Sequence, residues 1–280
     1  MRKMTMSEGN FHFQAVGSGP PVLCLHSSTS SSKQWNSLAE RLSDRFTVIA
    51  VDLYGYGKSP HWKEERMLTL NDEVALIEPA LAPYDEPAHL VGHSYGGAVA
   101  MAYALLHSEK VASLVVYEPV LFQLLYGEAP CSTEAREIWD VQTRVRKNIE
   151  KDDTIQAAEK FVNYWTGGDN WSGLPDWQKK AIAERMTKVP SDFDAAIYSP
   201  QSLYDIAGFS KPTLLLYGLD SPASTQKITW LLGKTLPQAE VRGLLNLGHM
   251  APMTHPDWVN RMIERFLSAQ IGNGACSAAG

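Results

Sequence analysis

Cysteines, long apolar runs and excess basic charge are all scarce in this chain of 280 residues. Its cysteines, Cys24, Cys131 and Cys276, are odd in number and widely spaced, which argues against a disulfide framework and a thiolate metal site. No apolar run approaches the roughly 18 residues that a membrane span requires. The first residues also lack the apolar stretch of a secretory signal. We therefore expect a cytoplasmic protein without a membrane-spanning segment.

The charge balance and the absent motifs limit the partners. A net charge of −6 without a basic patch gives no reason to expect nucleic acid binding. The chain has no Gly-x-Gly-x-x-Gly opening a helix, no phosphate loop and no metal-ligand spacing, so we expect no cofactor and no metal. The expected partner is a small-molecule substrate, with no nucleic acid and no membrane. The sequence does not decide whether the chain forms a homodimer.

Apolar runs that predict buried strands alternate with segments that have helical apolar spacing. The predicted strands cover residues 21–25, 47–53, 89–92, 112–117, 212–217 and 239–245. The predicted helices between them cover residues 34–42, 71–81, 98–106 and 224–236. This alternation predicts an α/β fold, with a mostly parallel sheet and helices on both faces. In such a sheet the chemistry lies at the carboxyl ends of the strands.

The alternation stops between residues 121 and 206, where the sequence predicts helices and no convincing strand. These helices cover residues 133–149, 154–165, 175–189 and 192–198. Most of the many aromatic residues of this segment are expected to pack among its own helices. A helical insertion above the carboxyl edge of a sheet is a natural lid over an apolar pocket. We therefore expect a core domain of residues 1–120 and 207–280, and a helical cap of residues 121–206.

The most informative segment is Gly92-His93-Ser94-Tyr95-Gly96, between a predicted strand and an Ala-rich helix. A serine at such a strand-to-helix turn has its hydroxyl exposed beside the amides of the helix N-terminus. Gly92 and Gly96 allow strand and helix to pass closely around it. A serine hydroxyl needs an adjacent base to become a nucleophile. His249, which follows the last predicted strand and Gly248, is the candidate base.

Five motifs in a fixed order carry a resemblance to a known family. They are His26-Ser27-Ser28, the segment 52–59 (Asp-Leu-Tyr-Gly-Tyr-Gly-Lys-Ser), the segment 92–97 around Ser94, Tyr217-Gly218-Leu219-Asp220, and Gly248-His249. The chain resembles the α/β-hydrolase family, in its serine-nucleophile branch, from Phe11 to Leu267. The resemblance implies an eight-stranded, mostly parallel sheet, a Ser-His-acid triad and a helical cap after the strand that ends at Glu118.

Two carboxylates compete for the acid position of this triad. The family's usual position falls on Ser221, and Asp220 lies one residue earlier. Glu118 directly follows the preceding strand, an arrangement that resembles the haloalkane-dehalogenase branch of the family. Either carboxylate could accept a hydrogen bond from Nδ1–H of His249 and stabilise the imidazolium. We prefer Glu118 and keep Asp220 as the alternative; their non-catalytic interpretations are a buried salt bridge and an exposed loop residue.

The oxyanion hole is expected to consist of two backbone N–H groups. One belongs to Tyr95, and the other to the loop after His26, with Ser28 preferred over Ser27. The family commonly has a His-Gly pair here, and Ser27 replaces that glycine. The hydroxyls of residues 27–32 could add donors to the hole, or could form a tight polar turn that bonds to its own backbone. Both interpretations stay open.

The leading hypothesis is a serine hydrolase that cleaves carboxylic esters or related acyl compounds through an acyl-serine intermediate. The aromatic residues of the predicted cap favour an apolar ester as the substrate. Three alternatives use the same fold: hydrolysis of carbon–carbon bonds in aromatic-breakdown products, acyl transfer or perhydrolysis, and a non-catalytic small-molecule receptor. Fold alone does not decide among them, because one scaffold supports many chemistries.

Overall fold

A computed structural model describes residues 4–6 and 11–277, with side chains for residues 11–271. The strands are β1 (Met4–Met6), β2 (His12–Gly17), β3 (Pro21–Leu25), β4 (Thr47–Asp52), β5 (Ala88–His93), β6 (Val111–Tyr117), β7 (Thr213–Gly218) and β8 (Ala239–Leu244). They form one sheet in the order β1-β2-β4-β3-β5-β6-β7-β8. The pairs β1–β2 and β2–β4 are antiparallel, and β3 to β8 run parallel. The predicted mostly parallel, eight-stranded sheet is confirmed.

Helices follow most strands and cover both faces of the sheet. They are α1 (Asn36–Leu42), α2 (Leu70–Leu81), α3 (Tyr95–Leu106), α4 (Gln123–Glu128), α5 (Thr133–Ile149), α6 (Thr154–Thr166), α7 (Asp176–Ala183), α8 (Val189–Ile197), α9 (Leu203–Ala207), α10 (Ala223–Thr235), α11 (Ala251–Thr254) and α12 (Pro256–Ser277). None of the helices within the described ranges is both long and apolar enough to cross a membrane.

The central strands are apolar on both faces because two separate layers of core cover them. In β3, Leu23 and Leu25 belong to one core, whereas Val22 and Cys24 belong to the other. Strands buried on both sides consist of nearly continuous apolar runs rather than alternating ones. For this reason the sequence predicts β3 to β7 to within about one residue at each end.

The largest error in the predicted elements lies in the segment 175–189, which is not one helix. Helix α7 ends at Ala183, a 3₁₀ turn follows at Met186–Lys188, and α8 begins at Val189. Pro190 causes the break. It has no N–H to donate back along a continuing helix, but it fits the first turn of a new one.

The order of the strands places a crevice next to β3. Its sheet neighbours β4 and β5 lie on opposite sides, so the chain reverses its direction across the sheet at this point. In open α/β sheets, ligands bind outside the carboxyl ends of the strands at such a switch point. The loop after β3 and the turn after β5 meet there.

Between β6 and β7, the described part of the chain contains α4 to α9 and one 3₁₀ turn but no strand. Phe161, Trp165 and Trp171 of this segment are buried, as expected for helices with their own core. In contrast, Trp139, Trp177 and Tyr204 are exposed. Packing therefore explains only some of the aromatic residues. The division into a core and a cap at residues 121–206 stays a prediction.

Candidate active site

Ser94 lies at the sharp turn between β5 and α3, with φ 56° and ψ −118°. The two flanking glycines make this turn sterically possible. A Cβ on Gly92 would lie 2.5 Å from the carbonyl oxygen of Gly96, and a Cβ on Gly96 would lie 2.4 Å from that of His26. A non-glycine residue in such a conformation costs on the order of 1–3 kcal/mol. The turn points the serine away from the strand and into the crevice.

A row of hydrogen bonds connects Ser94, His249 and Glu118. Nε2 of His249 lies 3.0 Å from Oγ of Ser94, and Nδ1 of His249 lies 2.7 Å from Oε2 of Glu118. All three side chains are buried. Because an ionised carboxylate can only accept a hydrogen bond, Nδ1 carries the proton and Nε2 accepts the serine hydroxyl. This is the proton arrangement that general-base activation of a serine requires.

Glu118 is held in position by donors on both of its oxygens. Besides His249 on Oε2, its Oε1 accepts the backbone N–H of Gly218 at 2.7 Å and the hydroxyl of Ser221 at 2.5 Å. Three donors offset the cost of burying the carboxylate. Ser221, which occupies the family's usual acid position, is therefore a donor to the carboxylate at the end of the previous strand. The sequence analysis missed this role.

The structure brings Glu118, but not Asp220, to His249. Asp220 is exposed, and its backbone N–H donates to the carbonyl oxygen of Leu247. Within the described residues, the hydrogen bond of Nδ1 of His249 goes to Glu118. The catalytic role of either carboxylate stays a prediction.

His93 holds the backbone of His249 in place, and Gln34 supports His93. Nε2 of His93 donates to the carbonyl oxygen of His249 at 2.9 Å, and Nδ1 accepts from Nε2 of Gln34 at 3.1 Å. Burial, together with the nearby His249, lowers the pKa of His93 well below its ordinary value, so the ring stays neutral. His93 directly precedes Ser94 in the sequence, which gives no signal for Gln34.

His26 orients the loop that follows β3. Its Nε2 accepts the backbone N–H of Leu53 at 3.1 Å, so Nδ1 carries the proton and donates to the carbonyl oxygen of Ser27 at 2.7 Å. Burial lowers the pKa of His26 to about 4, which keeps this donor–acceptor pattern intact at neutral pH. The ring is thus a structural support for the loop.

We call residues 27–32 the serine-rich loop; its first two hydroxyls both have protein acceptors. The backbone N–H and the hydroxyl of Ser27 donate to Oε1 of Gln34, at 3.1 and 3.2 Å. The hydroxyl of Ser28 donates to Oδ2 of Asp192 at 2.5 Å. Neither hydroxyl is therefore free to serve as an oxyanion donor in this arrangement.

The backbone amides of Ser28 and Tyr95 are better placed for that purpose. Both residues line a small inner chamber together with Ser94. Tyr95 is the first residue of α3, so its N–H has no acceptor within the helix. The N–H of Ser28 has no hydrogen bond to the residues that the structure describes, whereas that of Ser27 is already bound to Gln34.

A larger cavity of about 550 Å³ opens next to this chamber, between the serine-rich loop, α6, α7 and the residues after His249. Phe161 and Trp165 of α6 form part of its apolar wall. The ring of Trp165 stacks on the imidazole of His249, with centroids 4.1 Å apart and planes at 25°. The segment between β6 and β7 therefore covers Ser94 and also contacts the candidate base directly. The sequence analysis did not single out Trp165.

Comparisons with known proteins bear on the family and the fold of the chain. A profile described as the alpha/beta hydrolase fold matches residues 20–256. The pimeloyl-[acyl-carrier protein] methyl ester esterase of Aeromonas hydrophila is 28% identical over 267 residues, which cover 91% of this chain and 98% of that protein. Lipase LipV of Mycobacterium tuberculosis is 37% identical over 163 residues, which cover 57% of this chain and 58% of that lipase.

The similarity to solved structures extends over nearly the whole chain. A thermophilic esterase from Thermogutta terrifontis superposes with a TM-score of 0.72 at 24% identity, covering 96% of this chain and 99% of that chain. At this identity the superposition indicates a shared fold alone. The family profile, in contrast, matches well over half of the sequence. The protein is a hydrolase, and it belongs to the alpha/beta hydrolase family.

Proposed function

We propose that the protein is a serine esterase that cleaves carboxylic esters through an acyl-serine intermediate. The observation that carries the proposal is the row of hydrogen bonds from Ser94 Oγ through His249 to Glu118, at 3.0 and 2.7 Å. The row lies in a buried position beneath a cavity of about 550 Å³. The names of the two sequence relatives, one an ester esterase and one a lipase, support ester hydrolysis.

The first chemical step is attack by Ser94 on the ester carbonyl. Nε2 of His249 removes the proton from the hydroxyl as Oγ bonds to the carbonyl carbon, and it then protonates the departing alcohol. Glu118 keeps the Nδ1–H tautomer and stabilises the imidazolium that forms during the transfer. In the second step His249 takes a proton from a water molecule as the water oxygen bonds to the acyl carbon. The bond to Oγ of Ser94 then breaks, His249 returns the proton to Oγ, and the carboxylic acid is released.

The negative charge that develops on the carbonyl oxygen requires donors that are already in position. We propose the backbone N–H groups of Tyr95 and Ser28 for this role, with Ser27 as the disfavoured alternative because Gln34 occupies its amide. Preorganised amides of this kind act in a water-poor site, where each is worth on the order of 10²–10³-fold in rate.

The shape and the apolar walls of the cavity favour a substrate with an apolar acyl or alcohol group of modest size. Phe161, Trp165 and Ile182 contribute to these walls. The segment 121–206 would act as a lid that excludes water during the reaction. Lys33 and Arg185 also border the cavity, so a charged acyl end of a substrate would lie near one of these two cations.

The test is hydrolysis of p-nitrophenyl esters from C2 to C12 by the wild type and by Ser94→Ala. We expect turnover by the wild type and a loss on the order of 10⁴-fold or more in the variant, since removal of a triad serine leaves only binding and the oxyanion hole. Ser210→Ala, at an exposed serine, is the matched control and should keep full activity. The best chain length measures the depth of the cavity.

Full activity of Ser94→Ala would contradict the proposal. A wild type that turns over none of these esters would also contradict it. Carbon–carbon bond hydrolysis and ligand sensing would then be tested next, since both use the same arrangement of side chains.

A further inference from the structure

A second buried polar cluster lies beside the triad, at the contact between the segment 121–206 and the rest of the molecule. It consists of Lys188, Asp192 and Glu73, and we call it the cap–core cluster. Nζ of Lys188 lies 2.8 Å from Oε1 of Glu73 and also bonds to Oδ1 of Asp192. All three side chains are buried.

Lys188 keeps its positive charge in spite of its burial. Burial alone would lower the pKa of Lys188, but the charges of Asp192 and Glu73 more than offset it, and the pKa lies above its ordinary value. A buried ion pair is weak evidence for stability, because apolar side chains of similar volume often stabilise a protein as well. Stability alone therefore does not explain the cluster, and the positions of the groups that it contacts have to be considered.

Each carboxylate of the cluster reaches one of the two residues proposed to form the oxyanion hole. Oδ2 of Asp192 accepts the hydroxyl of Ser28 at 2.5 Å. Oε1 of Glu73 accepts the hydroxyl of Tyr95 at 3.2 Å. Lys188 joins the two carboxylates, and its Nζ lies 4.5 Å from the centre of the Tyr95 ring.

The serine-rich loop depends on these contacts from outside because its own backbone is unusual at this point. Thr29, directly after Ser28, has φ 61°, in the left-handed region that a β-branched residue rarely adopts. The carbonyl oxygen of Thr29 accepts a hydrogen bond at 3.0 Å from Arg185. Both Arg185 and Asp192 belong to the segment 121–206, so two groups from this segment hold the loop on either side of the Ser28–Thr29 peptide.

Asp192 is not available for a direct chemical role, although it lines the inner chamber with Ser94. Its Oδ2 accepts the hydroxyls of Ser28 and Tyr56, both at 2.5 Å, and its Oδ1 accepts Lys188. With three donors already on its two oxygens, Asp192 has little acceptor capacity left for a group of the substrate. Its remaining role is to hold the groups around it.

We propose that Asp192 is a positioning residue that orients Ser28 from the cap side, so that the oxyanion hole is complete only when the segment 121–206 is seated on the core. This inference rests on the proposed function, since it gives the amide of Ser28 a part in ester hydrolysis. Lys188 and Glu73 extend the same connection to Tyr95.

The test uses Ser28→Ala and Asp192→Asn in the chain of 280 residues. Ser28→Ala removes the hydroxyl but keeps the amide N–H and the whole charged cluster, so it is informative even if Asp192→Asn folds poorly. We expect kcat to fall about 10- to 100-fold in each variant, less than the 10²- to 10³-fold for complete loss of an oxyanion donor, because the amide is misplaced and not removed. KM should change little. Asp194→Asn is the matched control, because its carboxylate lies on the same helix and pairs with Arg146.

A readout other than rate separates positioning from general damage. The affinity for a trifluoromethyl ketone, which forms a tetrahedral adduct with an oxyanion, should fall by the same factor as kcat. The affinity for the carboxylic acid product should not change. The double variant should be no worse than Asp192→Asn alone, since the hydrogen bond that Ser28→Ala removes is already broken in that variant.

Unchanged kcat in both variants, a loss that appears only in KM, or fully additive effects would each overturn the inference. The wild type and Ser94→Ala are assayed in parallel on the same ester. Loss of turnover in Ser94→Ala establishes the esterase independently, so that failure of the positioning role can be recognised on its own. A wild type without turnover would overturn both proposals.

Discussion

The two buried polar clusters of this molecule differ in how the chain builds them. Ser94, Glu118 and His249 all lie just after strands of one sheet, and the parallel arrangement of the strands brings them to one edge. Lys188 and Asp192 lie in the segment between β6 and β7, and they meet Glu73 of α2 across a contact between two layers. The first cluster follows from the topology of the sheet, whereas the second requires the docking of separate elements.

The clusters also differ in their charges. The first contains one formal charge, on Glu118, which three donors surround. The second contains three charges with one lysine between two carboxylates. A substitution in the first cluster should therefore alter chemistry more than stability. A substitution in the second leaves a buried charge without its partner, and it should affect both.

The largest expected effect tests the acid of the first cluster. Glu118→Gln removes the charge that orients His249, and we expect kcat to fall by about 10³- to 10⁴-fold, as in the corresponding change in a serine protease triad. Asp220→Asn is the matched control and should change kcat by less than about twofold, since Asp220 is exposed. Steady-state kinetics on a p-nitrophenyl ester measures both. A reversed order would give the acid role to Asp220.

The next effect concerns the stability of the second cluster. Lys188→Met leaves Glu73 and Asp192 buried without their cation, and we expect a loss of about 3–5 kcal/mol in the free energy of unfolding. Lys147→Met, at an exposed lysine on α5, should leave it nearly unchanged. Urea unfolding at pH 7 measures the difference. A Lys188→Met variant as stable as the wild type would show that the charged cluster contributes little to the stability of the folded state.

A smaller effect on stability comes from histidines that burial keeps neutral, in contrast to the charged cluster. Burial lowers the pKa of His89 to about 4 from its ordinary value of 6.5. Because the unfolded chain binds the proton more readily, this contribution to stability is complete above pH 6.5 and is lost as the pH falls towards 4. One such histidine accounts for about 3 kcal/mol over this range.

His89→Asn should therefore reduce the slope of unfolding free energy against pH between 4 and 6.5. His255→Asn, at an exposed histidine, is the control and should leave the slope unchanged. Urea unfolding at several pH values gives both slopes. An unchanged slope for His89→Asn would mean that His89 titrates normally in the folded protein.

The smallest expected effect lies where the segment 121–206 touches the first cluster. Trp165 stacks on His249, and its ring face would favour the imidazolium that forms during proton transfer. We expect Trp165→Ala to lower kcat/KM by about tenfold and Trp165→Phe, which keeps an aromatic face, by less. Trp139→Ala, at an exposed tryptophan of α5, is the control. Equal losses in the Phe and Ala variants would argue against the stacking contribution.

The buried strands and the turn at Ser94 could be predicted because their signals are local. β3 to β7 are short apolar runs that end at polar or glycine positions, and Ser94 lies between two glycines within five residues. Helix boundaries in the segment 121–206 were harder, as the break before Pro190 shows. The sequence does not predict the first antiparallel strands or the short helices α4 and α9, because such brief elements leave little periodic pattern.

The candidate site also contains residues with a local sequence signal and residues without one. The sequence placed Ser94, His249 and Glu118 at strand ends, but it could not choose between Glu118 and Asp220 as the neighbour of His249. It also gave no signal for Gln34, Ser221 or Trp165, whose functional contacts are with residues in other elements.

The sequence by itself determined the parallel sheet, the strained serine turn and the family, because each depends on spacings of a few residues or on the order of short motifs. Tertiary structure alone decided which carboxylate meets His249 and which groups surround the serine-rich loop. Ser28 and Asp192 are 164 positions apart, and Lys188 and Glu73 are 115 apart. No periodicity connects residues at such separations. Their contacts form only when the segment between β6 and β7 packs against the rest of the molecule.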